Sequence, residues 1–266
     1  MFNVVALPAF TDNYLWLLHA HSHAIVVDPG DARVVQMALD TYGLALDAIL
    51  LTHHHPDHTG GVAELVAHHG CRVIGPRREL IAHINEYVAE GDSVEVLDVR
   101  FTVLEVPGHT QGHIAYWCEA AARLFCGDTL FGAGCGRLLG GTPDQMWKSL
   151  RRLSALPDET QVYCAHEYTL ANLRFARVVE PDNLAIANRE QHDALQRKNR
   201  LPTIPTTIGL ERQTNPFIRA NEPSVMQRSA SMASVESIAR ELAAWSPISP
   251  EARSFAVLRA WKNVFR

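Results

Sequence analysis

Apolar positions along this chain follow two rhythms, one of short strands and one of helices, which alternate over the first two-thirds of the sequence. Residues 14–18 and 24–27 are apolar runs that predict an early hairpin, with His19-Ala-His-Ser-His23 as its turn. Within 31–42, Val34, Val35, Ala38 and Leu39 recur at helical spacing, and Gly43 supplies a stop. Residues 61–69 repeat the pattern through Val62, Leu65 and Val66, with Gly70 as terminator and His68 and His69 exposed on the last turn. Beyond residue 168 the strand rhythm fades. Residues 171–180, 181–200 and 250–266 predict helices, interrupted by a proline-rich stretch at 201–205. The change of rhythm predicts two domains, 1–167 and a mostly helical 168–266.

Four of the apolar runs end in residues that bind metals. One leads into Thr52-His53-His54-His55-Pro56-Asp57-His58, which packs four histidines and a carboxylate into six residues. Residues 101–106 run into Pro107-Gly108-His109, 123–126 into Gly127-Asp128, and 161–165 into His166. Imidazole and carboxylate are ligands for zinc, iron or manganese. In layered α/β folds, loops at one edge of the strands converge on a common site, so these four predict a shared centre. From an extended backbone His53 and His55 face one way and His54 the other. Pro56 then sets a turn before Asp57 and His58, so the segment divides into two ligand pairs, enough to begin two metal sites. The 19–23 cluster has no neighbouring carboxylate and reads as a solvated turn. His113 reads as core or support.

His53-x-His55-x-Asp57-His58, followed by His109, Asp128 and His166, resembles the signature of the metallo-β-lactamase superfamily. Further segments are similar to its glyoxalase II (hydroxyacylglutathione hydrolase) branch. These are Pro8-Ala-Phe-Thr-Asp-Asn-Tyr14, Val27-Asp28-Pro29-Gly30, Gly127-Asp-Thr-Leu-Phe131, Gly134-Cys-Gly-Arg137, Cys164-Ala-His-Glu-Tyr168 and Arg259-x-x-Lys262. The resemblance implies an α/β fold, a four-layer αββα sandwich with a smaller C-terminal helical domain. It implies that His53, His55 and His109 hold one divalent metal, and Asp57, His58 and His166 a second, with Asp128 bridging both. Zinc is the expected metal, with iron or manganese as alternatives. Asp57 has a second implied task, orienting the water that attacks the acyl carbon, and Asp128 is the other implied catalytic carboxylate. Arg137, Tyr168, Arg259 and Lys262 are the implied glutathione contacts. Arg259 and Lys262, three apart on a helix, share a face and clamp the glycine carboxylate. Arg137 stands where relatives often carry lysine. Leu139 replaces an aromatic phenol of some relatives, which removes one hydrogen bond to substrate.

The implied reaction is hydrolysis of S-(2-hydroxyacyl)glutathione, foremost S-D-lactoylglutathione, to glutathione and a 2-hydroxy acid in methylglyoxal breakdown. A thiolate leaving group needs little protonation, consistent with the lack of an obvious general acid. A persulfide dioxygenase, a lactonase or another thioesterase of the same fold are the rival readings.

Bulk properties narrow the field. The chain has 266 residues, 47% hydrophobic and 20% charged, as in an ordinary globular enzyme. A net charge of −5 gives no basic footprint for nucleic acid. No run approaches the ~18 apolar residues of a membrane span, and the N-terminus lacks the basic and apolar regions of a secretory signal. Five cysteines (Cys71, Cys118, Cys126, Cys135 and Cys164) without a C-x-x-C pair predict reduced thiols. The expectation is a cytoplasmic, monomeric enzyme acting on a small molecule, with Cys135 structural.

Overall fold

The structure is a computed structural model that describes residues 2–265. The chain divides into two compact units that interleave in sequence. The first contains the chain up to Glu105, Gln111–Gly127 and Tyr163–His166. The second contains Val106–Thr110, Asp128–Val162 and the chain from Glu167 onward.

In the first unit, β1 (Asn3–Ala9), β2 (Asn13–Ala20) and β3 (His23–Val27) pair antiparallel, the first and second of these being the residues that flank the loop at Phe10. β4 (Ala45–Leu50), β5 (Arg72–Pro76) and β6 (Glu86–Val88) continue the sheet in parallel register. The early hairpin is present, and its turn falls at His21 and Ser22. Helices α1 (Ala32–Tyr42), the single turn α2 (Pro56–Thr59) and α3 (Val62–His69) follow β3 and β4. Asp31 caps α1 by accepting from the amides of Arg33 and Val34, and Gly43 at φ 65° ends it. Val35, Leu39, Val62 and Leu65 pack with Leu15, Leu17, Val26 and Ile49 of the strands in one buried cluster. Fully burying each such side chain stabilises the fold by about 1.5–3 kcal/mol.

A second sheet holds β7 (Ser93–Val96), β8 (Val99–Glu105), β9 (Ile114–Cys118), β10 (Arg123–Gly127) and β13 (Gln161–Cys164), in the order 7-8-9-10-13. It packs on the first sheet: the Tyr116 hydroxyl donates to Leu51 O at 2.9 Å, and Trp16 meets Tyr163 edge-on at 4.9 Å. A helix–sheet–sheet order is therefore built within this unit. Strand order is mixed, because β3 to β6 run parallel while the pairs on either side are hairpins.

The second unit contains a two-residue hairpin of β11 (Leu130–Phe131) and β12 (Gly134–Cys135), and helix α4 (Pro143–Leu153), which Thr142 opens with a capping box. Helices α5 (Thr169–Val179), α6 (Leu184–Lys198), α7 (Ile208–Thr214), α8 (Pro223–Met232), α9 (Glu236–Ala244) and α10 (Arg253–Val264) follow. The short strand β14 (Thr206–Thr207) pairs with Gln161 and Val162. Hydrophobic spacing leaves α7, α8 and α9 unmarked: α7 has only seven residues, and α8 and α9 each bury only two positions, Val225 with Ser229 and Ile238 with Leu242. Pro223 opens α8 in its first turn, where the missing N–H costs nothing. All five cysteines are buried free thiols.

Candidate metal centre

Five of the expected ligands, His53, His55, Asp57, His58 and His166, belong to the first unit. Pro56 begins α2, which turns the chain so that Asp57 and His58 ride its first turn. His58 is buried, and its Nδ1–H donates to Asp28 Oδ2 at 3.0 Å. That bond fixes the tautomer and leaves Nε2 as the lone-pair nitrogen, 3.5 Å from Asp57 Oδ2. His166 repeats the arrangement: Nδ1–H donates to Asp12 Oδ1 at 2.8 Å, and Nε2 lies 3.5 Å from the same Asp57 oxygen. Asn13 Nδ2 donates to that oxygen at 3.0 Å, and a β-bridge ties Asn13 to His166. Two imidazole nitrogens and a carboxylate oxygen thus converge within 4.8 Å of one another. This donor set, with both far nitrogens held by carboxylates, fits a divalent cation.

His53 and His55 form the other pair, with His53 Nε2 3.0 Å from His55 Nδ1. Thr52 donates its hydroxyl to Asp28 Oδ2 at 2.7 Å and its amide to Asp28 Oδ1 at 2.8 Å. The Thr52 oxygen is therefore left to accept from His53 Nδ1–H, 3.0 Å away. Asp28 braces both pairs, His58 directly and His53 through Thr52. Behind His53, the buried His113 ring stacks at 4.6 Å. Gly127 at φ +46° passes so close that a Cβ there would overlap Thr52 Oγ1, so this position requires glycine. His54 points away, exposed, and pairs with the buried Glu79, whose other oxygen accepts from the Gly112 amide at 2.8 Å.

His109 and Asp128 belong to the second unit. Both are buried, with His109 Nε2 3.4 Å from Asp128 Oδ2. His109 Nδ1–H donates to Arg137 O at 2.8 Å. The plan matches that of His58 and His166: an oxygen fixes Nδ1 and a carboxylate faces Nε2.

The sequence reading gave no role to Asp12, Asn13, Asp28 or Thr52. All but Thr52 lie in the segments 8–14 and 27–30, and Asp12, Asp28 and Thr52 come just after strands, the same position that marks the ligands. Outer partners of this kind typically tune metal affinity about 10- to 100-fold. Asp28→Asn, which keeps an oxygen for the Thr52 amide, should weaken metal binding by about that factor. Competition with a chromophoric chelator measures it, and unaltered affinity would reduce Asp28 to a support of the fold.

The second unit also places the four expected substrate contacts. Tyr168, 36% exposed, meets Phe131 edge-on at 5.4 Å. Arg137 and Leu139 are exposed. Arg259 is 4% exposed; its Nη1 donates to Cys135 O at 2.9 Å, and its guanidinium lies over the Phe217 ring. Lys262 Nζ donates to Ala171 O at 2.8 Å. Among the described residues neither cation has a carboxylate within ion-pairing distance. Burial pushes the Arg259 guanidinium below its ordinary range. Burial, then repulsion from Arg259, Arg174 and Arg137, lowers Lys262 to about 8. A buried cation without an anion is costly, which suits a site that receives an anion.

The profile described as Metallo-beta-lactamase superfamily matches residues 10–166, and that described as Hydroxyacylglutathione hydrolase C-terminus matches residues 167–265. A hydroxyacylglutathione hydrolase of Photobacterium profundum is 48% identical over 267 residues, covering 100% of both chains. Among solved structures, ETHE1 from Myxococcus xanthus superposes with a TM-score of 0.62 at 26% identity, over 82% of this chain and 84% of that one. TTHA1623 in a di-iron-bound form superposes with a TM-score of 0.57 at 29% identity, over 81% of this chain and 99% of that one. The fold is the metallo-β-lactamase fold with a C-terminal helical domain, and the His/Asp cluster makes the protein a divalent-metal binder. With full-length identity near one half and both halves matched by their profiles, the chain belongs to the hydroxyacylglutathione hydrolase family.

Proposed function

We propose that the chain hydrolyses the thioester of S-(2-hydroxyacyl)glutathione, with S-D-lactoylglutathione as the principal substrate, at a centre of two divalent metals. The observation that carries this reading is the pair Arg259, buried, and Lys262, half-buried, cations with no carboxylate partner among the described residues. A lactone has no anionic group to pair with them; the glycine carboxylate of glutathione does. Following the family pattern, His53, His55 and His109 take one metal, Asp57, His58 and His166 the other, and Asp128 both. The relative solved with two irons supports that count, and zinc remains the proposed metal. When bound, such a pair lowers the pKa of a coordinated water and polarises an acyl oxygen.

The protein's own groups do the rest. Asp57, its Oδ2 held by Asn13, orients the attacking water, whose proton is lost to solvent. The water oxygen bonds to the acyl carbon, the C–S bond breaks, and its electron pair leaves on the thiolate. Arg137, Tyr168, Arg259 and Lys262 bind the peptide part, so residues 168–266 act mainly in recognition and 1–167 in chemistry. Among the described residues no helix is long and apolar enough to cross a membrane. A cytoplasmic location and a monomeric state belong to the proposal. Loss of thioester absorbance with S-D-lactoylglutathione, set beside a lactone, a β-lactam and oxygen uptake with glutathione persulfide, tests the reading. Turnover should be confined to the thioester. Oxygen uptake with the persulfide would replace it with an oxidoreductase.

Lys262 adds a pH signature. Its depressed pKa, about 8, means that the free site is losing its charge just above neutrality. A bound carboxylate favours the charged form and raises that pKa, so binding takes up a proton between about pH 8 and the unperturbed lysine value. Affinity for S-methylglutathione should then fall above pH 8, by at most tenfold per pH unit. Calorimetry at pH 8.5 in buffers of different ionisation heat should detect the uptake, and Lys262→Arg should abolish it. Equal heats for the wild type in all buffers would exclude Lys262 from the clamp.

A further inference from the structure

The β11–β12 turn is gripped by buried polar side chains that the proposed chemistry does not use. Gly132 and Ala133 connect the strands, and Ala133 sits at φ +52°, a conformation that disfavours residues with a Cβ. Glu211 Oε2 accepts the Ala133 amide at 2.8 Å. Asn215 Nδ2 spans both strands, donating to Phe131 O at 3.3 Å and Gly134 O at 2.9 Å, and also meets Glu211 Oε2 at 2.8 Å. Glu211 and Asn215 are 0% exposed, and the buried Arg189 balances the carboxylate at 2.7 Å. A buried ion pair is often no more stabilising than apolar residues of the same volume, so stability alone is a weak reason to keep one.

What this hairpin carries supplies a reason. Asp128 precedes it and Arg137 follows it. A Cβ on Gly136 would overlap Asp128 O, so the two ends lie backbone to backbone. Five carbonyls along the segment are each taken by a side chain: Phe131 and Gly134 by Asn215, Gly132 by Asn172, Cys135 by Arg259, and Arg137 by His109. The loop has its register set from outside, residue by residue, up to the base of an exposed guanidinium.

We propose that Asn215 and Glu211, with Arg189 as counter-ion, are positioning residues for Arg137, holding the hairpin in the register that presents its guanidinium to the peptide part of the substrate. The proposal rests on the reading that Arg137 contacts glutathione. It is tested by a double-mutant cycle of Asn215→Ala and Arg137→Ala, read as affinity for S-methylglutathione and as KM against kcat. Each single variant, with native circular dichroism and metal content, should weaken binding by about tenfold, the loss of one charge-assisted contact. KM should rise while kcat changes less than about threefold. The double variant should be no weaker than Arg137→Ala alone, because Asn215 acts only through Arg137. If Asn215→Ala does not fold, Asn215→Ser keeps one donor and serves in the same cycle, with an expected loss of about threefold. Wild-type affinity in the folded Asn215 variant, or losses that multiply in full, would overturn the positioning role while leaving the glutathione reading intact. An Arg137→Ala variant that binds as the wild type does would instead remove Arg137 from the glutathione site, and this proposal with it.

Discussion

Asp128→Ala should lose at least one metal per chain and lower kcat/KM by about 10³-fold or more. Asp128 is buried beside His109, its carboxylate facing the histidine's lone-pair nitrogen. Removing it takes away the one negative charge that the family pattern assigns to both cations, and leaves a cavity in its place. A thousandfold loss corresponds to about 4 kcal/mol of transition-state stabilisation, a scale expected when metal assistance fails rather than when a fold loosens. Elemental analysis and steady-state kinetics on the same preparation separate the two. A variant that keeps two metals and a tenth of the activity would deny Asp128 its bridging place.

The second large effect belongs to Arg259. Arg259→Ala should raise KM by about 10- to 150-fold with metal content unaltered, since a hydrogen bond to a charged group contributes roughly 1.5–3 kcal/mol. Part of any loss will come from Cys135 O, which Arg259 also holds, and from the Phe217 ring beneath it. Arg259→Lys separates these contributions. It keeps the charge and loses the planar fork, so it should recover only part of the affinity. An unchanged KM in both variants would place glutathione elsewhere.

Much of this arrangement is legible in the residues. Extended backbone followed by Pro56 is enough to sort His53 and His55 from His54, and to put Asp57 with His58. The helix stops at Gly43 and Gly70 fall where the glycines do, at φ 65° and 62°. What spacing misses is what comes together only through folding. Asp28 reaches His58 across 30 positions and Asp12 reaches His166 across 154, so no local pattern couples them. Helix spacing puts Arg259 and Lys262 on one face but says nothing of their burial, which comes from tertiary packing and depresses Lys262. The grip of Glu211 and Asn215 on the β11–β12 turn is hidden for the same reason, since a glutamate on α7 and an asparagine just past its end look like solvated positions.

Arg259 and Lys262 on the second unit are proposed to read the carboxylate end of a glutathione thioester. The most direct test compares kcat/KM for lactoyl thioesters of glutathione and of N-acetylcysteine, which present the same reacting carbonyl. The truncated thiol leaves Arg259 and Lys262 without the glycine carboxylate and removes binding energy that orients the reacting carbonyl. The glutathione thioester should be favoured by at least about 100-fold, the equivalent of about 2.7 kcal/mol. Equal turnover of the two thioesters would contradict it and leave a generic metal-dependent thioesterase.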